Sequence, residues 1–425
     1  MRPMRIIVFL NSLGLGGTEK AACRWARGLT SRGHQVTVLT LQDGPRRREL
    51  EAHRVPCSVL DDSGAAVTRA LRDVAPEVIH SHAPGHSHPG DILGEALATL
   101  PKIPVVQTNI FGRFDNPSEE AWVDFRLFIS WTSCVQAGRR AFLRLNENFF
   151  RRASVAVYPV DPIAPPGAAQ VRAFRDRHGV ADQEVLFGRL SRPDPVKWTP
   201  LAVDAFRLAA ARHPSLKLLL REPPPEVAGQ LKSAPNPDQF LILPATAEAA
   251  ELDLTTASLD VVLHTSLVGE SFGYGIAEPM NFAKPVITNS VPTLDQAQIE
   301  LVREGECGFV TSTAPRMAEA MVRLAADARL RVEMGTAAQR HIRKLADPEL
   351  SLSRLETALT VAKEGRANPF LSEDVARAAT TAAYLDAHQF GHSFGEQLAL
   401  RPLYYRTRFK QFRQMLRRRW RSKSR

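Results

Sequence analysis

Apolar residues fall along the chain in short runs set at regular intervals. In the first half, β-branched and leucine-rich runs at 5–10, 36–41, 77–80, 105–108, 127–130 and 155–158 are separated by segments long enough for a helix. The second half repeats the rhythm at 184–189, 216–220, 240–243, 260–263, 285–288 and 308–311. Strands alternating with helix-length segments predict βαβ units and parallel sheets, so the fold class is α/β with two doubly wound, Rossmann-like domains. Residues 159–170, PVDPIAPPGAAQ, hold four prolines and no period, and place the linker there. The expected parts are 1–162, 170–345, helices over 346–400 that return to the first domain, and a segment 401–425. In the last part Tyr405, Phe409, Phe412, Leu416 and Trp420 step by three or four, one face of a helix.

Length agrees with this division, since 425 residues exceed one ordinary core. Charge changes the picture locally. The net charge is +10, but residues 401–425 carry 11 Lys or Arg and no acid, and without them the chain is at −1. A basic amphipathic helix with Trp and Phe suits an anionic membrane surface or the protein's own surface; nucleic acid is the weaker fit without a binding fold. Cys23, Cys57, Cys134 and Cys307 form no C-x-x-C pair, which points to reduced thiols and a cytoplasmic setting, peripheral to the membrane if the basic helix docks. The apolar run near the N-terminus spans about six residues, too short for a signal core, and no run approaches the roughly 18 of a membrane span.

Candidate chemistry gathers after strand ends. Gly14, Gly16 and Gly17 follow the first strand, yet a dinucleotide fingerprint would need glycine where Glu19 stands, which argues against a nicotinamide enzyme. His80, His82, His86 and His88 fall within nine positions across a strand end and loop, a weak zinc candidate for want of convergent rings. Residues 269–289, GESFGYGIAEPMNFAKPVITN, place Glu270 and Glu278 eight apart around a glycine turn, then a helix and a strand. A helix starting near Phe272 and Gly273 would aim backbone N–H groups at an anion, and Glu278 could accept hydrogen bonds from a ribose diol. Pro279 lacks an N–H, so the helix should kink or begin late there.

This stretch resembles the E-x7-E motif of family 4 glycosyltransferases, retaining enzymes of the GT-B fold that use sugar nucleotides. A second segment, FGRLSRPDPVKW, is similar to that family's G-R…K element, in which an arginine and a lysine hold the donor's diphosphate. Lys197 matches the lysine; the arginine is Arg189, in the G-R pair, or Arg192, nearer to Lys197. The resemblance implies a UDP- or GDP-linked donor and a glycan or glycolipid acceptor, with no cofactor and no metal. It assigns catalytic roles to Glu270, Lys197, Arg189 and Asn109, donor contacts to Glu278, Arg192, Ser271, Phe272, Gly273, Gly16 and Gly17, and a place in the cleft to His82 and Arg113. Consistently, the sequence has no D-x-D pair, the metal-diphosphate signature of the GT-A fold.

Two departures leave alternatives open. Where many members of that family carry a histidine, this chain has Asn109, and Arg221 with Glu222 replaces a G-x-G after the strand at 216–220. A catalytically silent member that binds a nucleotide sugar or glycan as a partner or scaffold is the second reading, and an epimerase or phosphorylase on the same fold the third. Turnover of a donor separates the first two; the need for an acceptor alcohol separates the last.

Overall fold

A computed structural model describes residues 2–83, 91–114, 119–190, 197–232, 234–246, 248–292 and 294–390, and scattered positions from 397 to 413. The chain divides into two compact units, one of 1–159 with 346–383 and the other of 160–345 with 384–410.

Among the described residues the first unit holds seven strands, β1 (Arg5–Ser12), β2 (Gln35–Gln42), β3 (Cys57–Val59), β4 (Val78–Ala83), β5 (Val105–Asn109), β6 (Phe125–Phe128) and β7 (Ala153–Val155). They lie in the order β3-β2-β1-β4-β5-β6-β7, all parallel. The second unit holds β8 (Val185–Leu190), β9 (Leu216–Arg221), β10 (Phe240–Leu243), β11 (Val261–His264), β12 (Val286–Asn289) and β13 (Gly308–Thr311), in the order β10-β9-β8-β11-β12-β13, again parallel. Sheets covered by helices on both faces require strands apolar on both sides, which is why these runs are continuous rather than alternating. One strand escaped the apolar pattern: β3 is a three-residue edge, Cys-Ser-Val, with two exposed positions.

The cores follow from the same residues. Ile7, Phe9, Leu39, Val67, Leu71 and Ile79 pack on one face of the first sheet. Phe187, Phe206, Leu218, Ile287, Met317 and Met321 pack on the second. Full burial of each such side chain contributes roughly 1.5–3 kcal/mol. In the second sheet the strand order reverses between β8 and β11. In open α/β sheets the carboxyl ends beside such a switch point form a crevice that binds ligands.

Pro279 does not delay its helix. The helix runs Tyr274–Asn281, with Ile276 and Ala277 N–H both bonded to the Gly273 carbonyl at 3.0 Å, and Pro279 sits in its last turn. Only the bond back to Gly275 is forgone there, so the cost is small compared with a proline in a long helix. Among the described residues no helix is long and apolar enough to cross a membrane.

Candidate functional site

The carboxyl ends of β8 and β11 bring together residues far apart in sequence. Lys197, seven residues past β8, places Nζ 2.8 Å from both carboxylate oxygens of Glu270. Glu270 lies six residues past His264, the last residue of β11, whose Nε2 is 3.2 Å from Glu270 Oε1. Burial alone would raise the Glu270 carboxyl; the hydrogen bond and charge of His264, then Lys197, outweigh it and hold the group at about 2. Glu270 is therefore a buried carboxylate kept ionised by two neighbours.

The loop that carries it is pinned from behind. Glu270 N–H donates to Gln298 Oε1 at 3.0 Å, and its carbonyl accepts from Ala297 N–H at 2.8 Å. Ser266 exchanges two bonds with the Asn289 amide, N–H to Oδ1 at 2.8 Å and carbonyl from Nδ2 at 3.0 Å. Gly269 has φ +70°, and a Cβ there would sit 1.8 Å from the Asp295 carbonyl oxygen. Only glycine admits so close a backbone approach.

Ser271 donates to Asp295 Oδ2 at 2.6 Å, and Phe272 packs edge-on to Tyr274 with centroids 5.0 Å apart. Gly273, φ +104°, ends the turn and begins the helix with no side chain to cap it. Such a start offers backbone N–H groups and a positive dipole end to an anion. Glu278 lies half-buried on the same helix, just over one turn further on.

Arg189 has a different surrounding from the one its motif suggests. Its Nη2 donates to the Thr265 and Lys197 carbonyls at 2.8 and 3.1 Å, and its guanidinium lies 3.6 Å above the Trp198 ring. It is 2 % exposed, and burial pushes it down to about 9. In this arrangement Arg189 secures the backbone from which Lys197 reaches Glu270. Arg192 lies outside the described residues.

Where a G-x-G was absent, the structure shows a substitute. Arg221, at the end of β9, donates to the Pro244 carbonyl, to Glu251 Oε1 and to Thr255 Oγ1 at 2.9, 2.9 and 2.7 Å. Glu222 then turns the chain at φ +50°, a conformation glycine adopts more readily.

In the first unit, Gly16 caps the helix Gly17–Ser31, but the Glu19 carboxylate already lies over it. A Cβ at Gly16 would meet Glu19 Oε2 at 2.1 Å, and Ser12 Oγ donates to Glu19 Oε1 at 3.0 Å. Asn109 folds onto its own turn, Nδ2 donating to the Arg113 carbonyl at 2.6 Å and Oδ1 accepting from Arg113 N–H at 3.2 Å. Arg113 is half-buried beside it. His82, placed in the cleft by its motif, is buried inside the unit, 5.8 Å from the Trp25 ring and 4.4 Å from His80, and burial lowers it to about 3. A ring so enclosed is neutral and packs as core. His86 and His88 lie outside the described residues.

Spacing around the glycine turn singled out Glu270 and the Gly273 helix start, and the family resemblance Lys197; the fold assembles all three within the second unit. It missed His264, Gln298 and Asp295. The available signal for His264 was its place at the last position of a central parallel strand.

Comparison with known proteins bears on this arrangement. Residues 16–165 match the glycosyl transferase 4-like domain, and residues 183–327 match the glycosyl transferases group 1. A search of curated proteins found no match. Among solved structures, Anabaena Alr3699/HepE in complex with UDP is 20% identical, with a TM-score of 0.70 over 84% of this chain and 100% of that one. A glycosyltransferase from Rickettsia africae ESF-5 is 14% identical, with a TM-score of 0.69 over 86% and 99%. WaaG, a glycosyltransferase involved in lipopolysaccharide biosynthesis, is 13% identical, with a TM-score of 0.61 over 82% and 98%. The solved structures share the fold, two parallel α/β sheets with C-terminal helices. With one glycosyltransferase domain matched in each half, the chain belongs to the GT-B glycosyltransferases.

Proposed function

We propose that this chain is a retaining glycosyltransferase of the family 4 type, which moves a sugar from a UDP- or GDP-linked donor to a hydroxyl of a glycan or glycolipid in cell-surface polysaccharide or lipopolysaccharide assembly. The observation that carries the reading is the Lys197–Glu270 pair, 2.8 Å apart with the carboxylate buried, at the switch point of the second sheet. The bond from the sugar's anomeric carbon to the diphosphate breaks while a bond from that carbon to the acceptor oxygen forms, on the same face. Charge grows on the departing diphosphate, and Lys197 and the amides at the Gly273 helix start meet it. Glu270 holds donor-sugar hydroxyls and Glu278 the ribose; the acceptor's proton passes to a phosphate oxygen. No metal enters this scheme. Anabaena HepE, crystallised with UDP and with UDP-glucose, favours UDP as the first nucleotide to try.

The basic segment 401–425 supports a cytoplasmic protein peripheral to an anionic membrane. Tyr405 and Phe409, two members of its apolar stripe, are exposed; Phe412, Leu416 and Trp420 lie outside the described residues. Removing 401–425 should reduce sedimentation with anionic vesicles and leave transfer to soluble acceptors intact; equal sedimentation sinks the membrane role.

A silent binding protein is the second reading, favoured by the engaged Arg189 guanidinium and the self-bonded Asn109 amide. The deciding experiment incubates the purified chain with UDP- and GDP-sugars and a hydroxyl acceptor, then reads the product by NMR. Transfer with retained anomeric configuration is expected. Inversion overturns the retaining mechanism, and binding without any turnover favours the silent protein.

A further inference from the structure

We propose that His264 is a positioning residue for Glu270, the contact that keeps this carboxylate aimed while Lys197 turns to the donor; the inference rests on the transferase reading above. Three observations carry it. First, the backbone of Glu270 is fixed without the side chain, through Gln298 Oε1 and Ala297 N–H, so only the side-chain torsions remain to be set. Second, two groups set them, Lys197 Nζ and His264 Nε2, and they differ in constraint. The Lys197 side chain is 36% exposed on a flexible stem, whereas that of His264 is 10% exposed at the end of a central strand. A lysine that also answers to a diphosphate shares its charge between two anions; an imidazole fixed on the sheet does not.

Third, the ring has one polar contact among the described residues. Nε2 faces Glu270, and Nδ1 is buried with no hydrogen-bond partner among the described residues. Donation to a carboxylate puts a proton on Nε2. A buried ring nitrogen without a partner costs free energy, and an apolar side chain at this position would avoid that cost. Packing alone therefore does not account for a histidine here, and the Glu270 contact does. The same edge of the ring borders the glycine-bearing helix start, since a Cβ at Gly275 would come 3.8 Å from His264 Cδ2 and one at Gly273 would come 3.3 Å from Glu270 Cβ and Cγ. The imidazole and carboxylate thus lie side by side along the face that begins the helix.

The test compares His264→Leu, His264→Gln, Glu270→Gln and the double variant His264→Leu/Glu270→Gln, with UDP affinity measured by calorimetry and turnover measured on the donor that the wild type uses. A hydrogen bond to a charged group corresponds to about 10- to 100-fold, so His264→Leu should lower kcat by that factor. UDP affinity should stay within about twofold, because the proposed scheme gives Glu270 to the donor sugar, which UDP lacks. His264→Gln, which keeps an N–H at similar reach, should restore kcat to within about threefold of wild type, and the double variant should be no slower than Glu270→Gln. If His264→Leu does not fold, His264→Asn replaces it, its shorter amide falling short of Oε1. Losses that multiply in the double variant, or a His264→Gln as slow as His264→Leu, overturn the inference while leaving the transferase reading in place. A wild type that turns over no donor overturns both.

Discussion

At Glu270, burial and charge oppose each other, and charge wins. Its folded-state value of about 2 lies below the ordinary 4.5, so the ionised group stabilises the fold fully above the unfolded value and loses that contribution as pH falls from about 4.5 to 2. The shift corresponds to on the order of 3 kcal/mol. Glu270→Gln should therefore be less stable than wild type at neutral pH, and the gap, followed by denaturant unfolding, should close across that acid window. A gap that does not change with pH would mean the carboxylate is not held by its charge. Lys197→Ala tests the other partner: loss of one charge-stabilising contact should lower kcat by about 10² to 10³, with UDP affinity falling less. A fall in UDP affinity with kcat unchanged would assign Lys197 to binding alone. Glu270 and Lys197 were legible because each sits a fixed distance past a strand in a family-like pattern. The true surroundings of Arg189 were not, since nothing in G-R…K says that the Thr265 and Lys197 carbonyls will take up the guanidinium. His264 and Gln298 escaped for a related reason. Their meeting with Glu270 depends on β11 lying beside β12 and on the loop that follows, which spacing does not express.

Elements were easier to read than their connections. Continuous apolar runs gave 12 of the 13 described strands to within a few residues, because strands buried on both faces leave no polar alternation to misread. The edge strand β3 lacked that signature. The turn before Glu270 depends instead on backbone geometry at Gly269, and a pair of substitutions isolates it. Gly269→Ala must place its Cβ on the Asp295 carbonyl at φ +70°, whereas Gly305→Ala, at φ +73°, meets nothing within 4 Å. The second change should cost only the left-handed strain, about 1–2 kcal/mol, and the first clearly more. In calorimetry Gly305→Ala should lower the Tm of its unit by about 2–8 °C, and Gly269→Ala by more. Equal shifts would show that the loop gives way without resistance and does not hold Glu270 rigidly.

At the scale of the whole chain, the first unit is made from separate pieces, and the return of 346–383 joins 1–159 in it. The helix Pro348–Glu364 places Ser351 Oγ 3.0 Å from Trp25 Nε1, Glu356 Oε1 2.9 Å from His34 Nε2, and Lys363 Nζ 2.7 Å from Glu77. Within the returning piece Arg354 pairs with Asp374, 2.7 Å apart with side chains 5% and 0% exposed, and both meet Ser154 of the first piece. Burial raises the Asp374 carboxyl in spite of Ser154, Arg354 and Asn368, so the pair spends much of its attraction offsetting desolvation. Removing one partner should then hurt far more than removing both. Arg354→Leu leaves an uncompensated acid and should cost about 3–5 kcal/mol, while Arg354→Leu with Asp374→Leu should recover most of that loss. Hydrogen exchange reads the two units separately. Amides of β1 and β4 should lose protection in the single variant, and those of β8 and β11 should keep theirs. Comparable losses in the single and double variants would mean that the ion pair is a net source of stability, and that charge more than packing holds the two returning helices to each other.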